Sequence, residues 1–336
     1  MRIGRVTGCN MNVLLLSAVF LSSLLITALC LPVIIRKMLA AGITGNDVNK
    51  KGMPTVAEMG GLAIVMGAIG SLLLALALST FFGFQFKLIE ILAAMLTLTI
   101  VALIGTFDDL FDMRKDVKTV LPMIAALPLV AVSAAGSTVI GVPFMGPVDF
   151  GLAYIAILIP LGVTVAANLT NMLAGFNGME AGMGCVIFAT TTILAIANGS
   201  TEMAILSLAM LGALLAFLRL NWYPAKIFIG DIGTLAIGTS LAAAVIIGNL
   251  ESVGAILVIP YLADFFIKAY NRFPSTKWWG ELKNGKLYPL EGRVRGLAQL
   301  VMKLFNGISE QNLVIFFIAT EGLFALLAIL FYGRAI

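Results

Sequence analysis

The chain of 336 residues contains no histidine, only three cysteines, and charged residues at just 11% of its positions. Without histidine there is no imidazole-ligated zinc chemistry and no histidine general base. Cys9, Cys30 and Cys185 have no metal-ligand spacing, and two of them fall inside apolar runs, so they read as packing residues. So low a charge content excludes an ordinary soluble domain. No lysine/arginine cluster is interleaved with aromatics as single-strand binders require, so nucleic acid is not an expected partner. There is also no fixed-period repeat and no low-complexity tract.

What the chain has instead is apolar length. Hydrophobic residues make up 60% of it and the mean hydropathy is +1.06. Apolar runs of about 18 or more residues cross a bilayer as helices. About ten are expected, near 13–35, 59–81, 88–107, 119–136, 151–168, 182–198, 203–219, 232–249, 252–270 and 312–332. The expected fold is an all-α polytopic membrane protein: one transmembrane domain over 1–336, with a long cytoplasmic loop at about 271–311. Arg2 and Arg5 precede the first run as in a signal peptide. That run is too long for a typical signal sequence and no clear cleavage site follows, which favours a retained first helix. Of the 21 lysines and arginines, 17 fall in one set of loops, cytoplasmic by the positive-inside rule. Both termini then face outward, as an even number of spans requires, and the net charge of +4 reflects topology.

Polar residues gather at the cytoplasmic ends of these runs. In NLTNMLAGFNGMEAG, Asn168 and Asn171 lie three apart, so both amides can face one point. Gly175, Asn177 and Gly178 then break the helix, and Glu180 adds a carboxylate. In IGTFDDLFDMRKDVK, Asp108 and Asp112 are four apart and share a helical face, Asp109 points elsewhere, and Lys118 stands where the chain re-enters the membrane. A solvated, charge-balanced loop is the plain alternative; against it stands the cost of two adjacent acids directly after a charge-free span. In FIGDIGT, from Phe228 to Thr234, Asp231 reads either as an N-cap or as a cation ligand beside a backbone that approaches phosphate. In EGRVRG, Arg293 and Arg295 point to one side of an extended segment, as forks suited to phosphate and sugar. Lys277, Lys283 and Lys286 read equally as a lipid-contacting loop, and LAQLVMKLF as a surface helix. Glu58, opening the second span, is a helix-dipole charge or a site residue.

Together these groups can hold Mg²⁺, or Mn²⁺, and neutralise a pyrophosphate, the equipment of phosphosugar transfer. A site at the bilayer surface makes a lipid the second substrate. The rival reading is a secondary transporter using Asp264, Glu321 and the asparagines, but transporter sites lie near the bilayer midplane.

The same motifs resemble the polyprenyl-phosphate N-acetylhexosamine-1-phosphate transferases, most closely the eukaryotic and archaeal branch that makes N-acetylglucosaminyl-diphospho-dolichol. The resemblance rests on NLTNMLAGFNGMEAG, the run Asp47-Val48-Asn49-Lys50, the DDLFD run and the Gly230–Asp231 pair, over residues 47 to 295. In AGFNG an asparagine replaces the aspartate common in bacterial members. The histidine motif of bacterial members is missing, and a familiar Arg-His-Arg element is here Arg293-Val294-Arg295. The resemblance implies Asn171 and Asp231 as Mg²⁺ ligands, Lys118 on the pyrophosphate, and Asp108 and Asp109 near the lipid phosphate. It further implies Val48, Asn168, Asn177 and Phe228 as substrate-binding residues, uracil meeting Asn177 and Phe228. Arg293 and Arg295 would hold the sugar phosphate, with Asp112 and Glu58 nearby. The implied substrates are a UDP-N-acetylhexosamine and a polyprenyl or dolichyl phosphate. The implied setting is an archaeal plasma membrane with the site facing the cytoplasm, and a homodimer is left open.

Overall fold

The structure, a computed structural model, describes residues 3–133, 137–142, 145–274 and 279–333. Lys277 and Trp278 of the last long loop, with Arg2 and Arg334, lie outside the described residues, as do the side chains of residues 3–12.

The apolar runs form helices as the composition dictates. They are α1 (Ile3–Ala41), α2 (Gly61–Phe82), α3 (Leu88–Phe111), α4 (Lys115–Val120), α5 (Pro122–Ala125), α6 (Leu127–Ser133), α7 (Ile159–Met172), α8 (Met179–Ala197), α9 (Thr201–Asn221), α10 (Gly230–Ile247), α11 (Glu251–Leu257), α12 (Ile259–Tyr270), α13 (Leu297–Leu304) and α14 (Glu310–Tyr332). Among the described residues, eight helices are long and apolar enough to cross a membrane, or nine if the pair α11 and α12, bent by 56°, is one span. The run expected to span at 119–136 is not among them: it forms the three short pieces α4 to α6. Pro122 and Pro128 each remove a backbone donor and crowd the preceding turn, so the helix breaks at each. Pro260 similarly opens α12 after the bend.

The helices meet through small residues, as membrane bundles do in the absence of water. A Cβ on Gly61 would sit 2.2 Å from the Gly233 nitrogen, one on Gly105 2.4 Å from the Ile232 Cα, and one on Gly238 2.1 Å from the Ala166 carbonyl oxygen. All three contacts are made by α10. It is also the most enclosed span, 83% buried against 28% for α1 and 33% for α14, so it is the axis of the bundle.

Three two-stranded hairpins lie outside the spans: β1 (Thr44–Asn46) with β2 (Thr55–Ala57), β3 (Val139–Val142) with β4 (Gly146–Asp149), and β5 (Gly280–Lys283) with β6 (Lys286–Pro289). The first and third belong to one end of the bundle, because the loops there are bonded to one another. Phe228 N donates to Ala57 O at 2.8 Å, Gly280 N to Asn49 Oδ1 at 3.1 Å, and Asn49 Nδ2 to Gly175 O at 3.3 Å.

Candidate active site

Close approach of α3 to α10 builds the floor of the site. Gly105 lets the two backbones touch at Ile232, and Asp109, four residues on, therefore stands against the first turn of α10. Its Oδ1 accepts from Asp231 N at 2.7 Å and its Oδ2 from Ile232 N at 3.2 Å. Asp109 thus caps a helix 122 residues downstream, satisfying two of the four orphan donors at its start. Asp231, expected on one reading to be that cap, lies inside the first turn instead. Its carboxylate turns to Lys118. Gly230 is required here: its φ is +69°, and a Cβ would fall 2.6 Å from Asp109 Oδ2.

Lys118 closes this corner. Its Nζ is 2.7 Å from Asp108 Oδ2 and 3.3 Å from Asp231 Oδ2, and Met113 N donates to Asp108 Oδ1 at 2.9 Å. Burial works against the ammonium, but the carboxylates of Asp231 and Asp108 outweigh it and hold Lys118 above the usual lysine range.

Asn171 arrives by a second close contact. Gly238 admits α7 at Ala166, and Thr170 Oγ1 donates to Thr234 O at 2.8 Å, locking the two helices in register. Asn171 Oδ1 then accepts from Thr234 Oγ1 at 3.0 Å and retains a second lone pair.

The opposite wall is an ion cluster. Lys50 Nζ lies 2.7 Å from both Asp47 Oδ2 and Glu310 Oε2, with the Tyr223 ring 4.4 Å away. Asn177 Nδ2 donates to Asp47 Oδ2 at 3.0 Å and its backbone N–H to Glu310 Oε1 at 2.9 Å. Asn221 joins the loops behind, accepting from Gly178 N and donating to Ile227 O. Glu180 accepts from Gly175 N.

Between floor and wall is a cavity of about 390 Å³ lined by residues of five loops and helix ends. Of the residues singled out from the sequence, Val48, Glu58, Asp109, Asn171, Asn177, Phe228 and Asp231 line it. Gly45 makes room for the Glu58 carboxyl, since a Cβ there would lie 2.2 Å from Glu58 Oε1; burial raises that carboxyl above the usual range. Asp108 and Lys118 adjoin the cavity through Asp231.

Four expected residues are elsewhere. Asp112 does not share a face with Asp108, because α3 ends at Phe111 and Asp112 turns to φ +46°, exposed to the outside. Asn168 does not join Asn171 in the cavity lining; its Nδ2 donates to Thr119 O at 3.0 Å and Thr164 O at 2.8 Å, pinning α7 to the helix that carries Lys118. Arg293 is exposed. Arg295 folds onto its own loop, donating to Glu291 Oε2 at 2.6 Å and Leu290 O at 3.2 Å. Asp264, the acid of the transport reading, accepts from Leu297 N at 2.7 Å and pairs with Lys268, which also donates to Met172 O. It anchors α12 to α7 and α13. Sequence reasoning did not find Glu310 or Thr234: the first reads as an ordinary first-turn acid, the second as an apolar-helix threonine.

The donor set bears on a metal. Asp231 and Asn171 offer oxygen to one cavity, as hard cations require. Among the described residues no three acidic, cysteine or histidine groups form a closed cage. The pair therefore fits a cation that completes its shell with water and substrate phosphates, the habit of Mg²⁺.

Residues 91–249 match the family model described as glycosyl transferase family 4. The chain is 34% identical over 302 residues to a Saccharolobus solfataricus protein provisionally named UDP-N-acetylglucosamine–dolichyl-phosphate N-acetylglucosaminephosphotransferase, covering 88% of this chain and 90% of that one. The Dictyostelium discoideum protein of the same name is 26% identical, with 84% and 80% covered. A phospho-N-acetylmuramoyl-pentapeptide-transferase of Limosilactobacillus fermentum is 29% identical, with 88% and 100% covered.

Proposed function

This chain belongs to glycosyl transferase family 4, and from that premise we propose that it transfers N-acetylglucosamine-1-phosphate from UDP-N-acetylglucosamine to dolichyl or a related polyprenyl phosphate. The products are UMP and a sugar-diphospho-lipid, the first membrane step of a glycan pathway such as N-glycosylation. The relatives' names support the substrates, and the archaeal relative supports an archaeal membrane. The 17-to-4 split of basic residues supports a cytoplasmic site.

The observation that carries the reading is Lys118 held between Asp108 and Asp231 beside a cavity whose opposite wall is Asn177. The corner is built for charge neutralisation, and phosphoryl transfer is mostly positioning and charge stabilisation. An oxygen of the lipid phosphate bonds to the β-phosphorus of the sugar nucleotide while the bond from that phosphorus to the bridging oxygen breaks. UMP leaves with the bridging oxygen and the electron pair. A phosphate monoester is largely ionised at neutral pH, with its second pKa near about 6, so no strong base is needed. The carboxylates of Asp108 and Asp109 have both oxygens engaged by Lys118, Met113 N, Asp231 N and Ile232 N. That favours direct displacement over an aspartyl-phosphate intermediate. Asp231 and Asn171 would hold Mg²⁺, which when bound supplies charge stabilisation to the diphosphate. Lys118 sets a fixed positive charge against the diphosphate, Asp109 holds the start of α10 in place, and Phe228 offers a ring face to the base.

Purified protein given labelled UDP-N-acetylglucosamine and dolichyl phosphate tests the reading. A lipid-extractable labelled product with UMP in equal amount is expected; label that crosses vesicles unchanged, with no UMP, is the transporter's result and overturns it.

A further inference from the structure

Asn177 has two chemically different ends, and only one is engaged. Its amide nitrogen donates to Asp47 Oδ2 at 3.0 Å and its backbone N–H to Glu310 Oε1 at 2.9 Å. Its Oδ1 accepts no hydrogen bond among the described residues, and the residue lines the cavity. An ionised carboxylate can only accept, so a charged Asp47 forces the NH₂ of Asn177 toward itself and leaves the oxygen as the group offered elsewhere. Lys50 fixes the Asp47 carboxylate as an acceptor: the two are 2.7 Å apart with 11% and 4% of their side chains exposed, and Lys50 is itself fixed by Glu310 and the Tyr223 ring. This arrangement costs a buried three-charge cluster. Fixing the loops alone could be done with apolar contacts.

We propose that Asp47 determines which nucleobase the cavity takes, by committing Asn177 to act as a hydrogen-bond acceptor. Resting on the reading of the cavity as a uridine-nucleotide site, this adds the source of its base selectivity. Uracil presents a ring N–H between two carbonyls and pairs with an acceptor. Cytosine presents a bare ring nitrogen at the same place and sets two acceptors against each other. Asp47 acts through Asn177 and is a positioning residue.

Asp47→Asn breaks the commitment, because Asn at 47 can donate as well as accept and the Asn177 amide is then free to turn over. UMP and CMP binding to the purified full chain, measured by calorimetry alongside transfer from UDP-N-acetylglucosamine, reads the result. The wild type is expected to prefer UMP, and Asp47→Asn to cut that preference about tenfold or more, the worth of one mispaired buried group. The loss should appear in KM more than in kcat. Asn177→Ala should erase most of the preference, and adding Asp47→Asn to it should change the remainder by less than about twofold, since the two act as one unit. A scaffold role would lower thermal stability and leave the UMP/CMP ratio unmoved; that result in folded Asp47→Asn overturns the proposal. Should Asp47→Asn not fold, an unchanged ratio in Asn177→Ala overturns it equally. A wild type that makes the lipid product yet binds CMP as well as UMP sinks the base selection and spares the transfer reading. One that prefers UMP but makes no lipid product sinks transfer and supports the base selection.

Discussion

Lys50 and Lys118 each bridge two carboxylates brought from distant parts of the chain, yet their surroundings differ. Lys50 is enclosed: Asp47 and Glu310 at 2.7 Å, the Tyr223 ring above, and 11% of its side chain exposed. Lys118 has one short contact, to Asp108, and one long one, to Asp231 at 3.3 Å, with 27% of its side chain exposed. A buried ion pair whose partners are fully matched has nothing left to offer a ligand and fixes geometry. A pair with one loose, half-open contact can exchange it for a substrate phosphate. The same chemistry therefore fixes a neighbouring amide on one wall and leaves a charge to offer a ligand at the other corner.

The largest expected effect separates the two clusters. Lys50→Met leaves Asp47 and Glu310 buried and facing each other without a cation, which costs about 3–5 kcal/mol. The measurement is thermal unfolding in detergent, and a Tm within a degree of wild type would erase the distinction. Asp231→Asn should leave Tm nearly unchanged and lower turnover by about 10²–10³-fold, the size of losing one pre-set electrostatic group. Near-normal turnover would remove Asp231 from the chemistry. Asn168→Ala tests a residue now placed behind the site: loss of its bond to Thr119 O should cost about 1 kcal/mol of stability and lower kcat by loosening the Lys118 helix, without changing the KM for UDP-sugar. A KM effect alone would return Asn168 to the substrate. The smallest effect concerns Glu58. Its pKa is raised by burial, so its ionised form destabilises the fold; the stability it withholds is fully present below the unfolded pKa and lost as pH rises through the folded one. Glu58→Gln should therefore raise Tm slightly at pH 8 and leave it unchanged at pH 4. The opposite trend would mean that the carboxylate is held by a partner.

The two clusters also show how far a sequence can be read. Apolar length gave the spans, except where Pro122 and Pro128 cut one into three short helices. Asp231, Asn171, Asn177 and Phe228 were singled out from polar, glycine-punctuated stretches beside apolar runs, and the structure brings all four to one cavity. What the sequence hides is pairing across more than a hundred residues. Asp109 as the cap of α10 depends on Gly105 touching Ile232, and the Lys50 cluster depends on the start of α14 docking against the first loop. Asn168 and Asp112 lie outside the cavity lining for local reasons. Residues three or four apart share a helical face only while the helix continues, which it does not at Asp112. Even a shared face can be divided between two neighbours, as it is for Asn168 and Asn171. Arg295 lies against its own loop, where Glu291 and the Leu290 carbonyl accept from its guanidinium, a pairing the motif alone does not reveal.

The account turns on the floor of the cavity being one site, shared by α7 and α10, for a single divalent cation and the diphosphate it meets. Mn²⁺ binding by electron paramagnetic resonance, with UMP present, tests this most directly in the wild type, Asn171→Ala and Asp231→Asn. One tightly bound Mn²⁺ per chain is predicted, lost in both variants while the folded protein remains. Full-strength Mn²⁺ binding in either variant would contradict it.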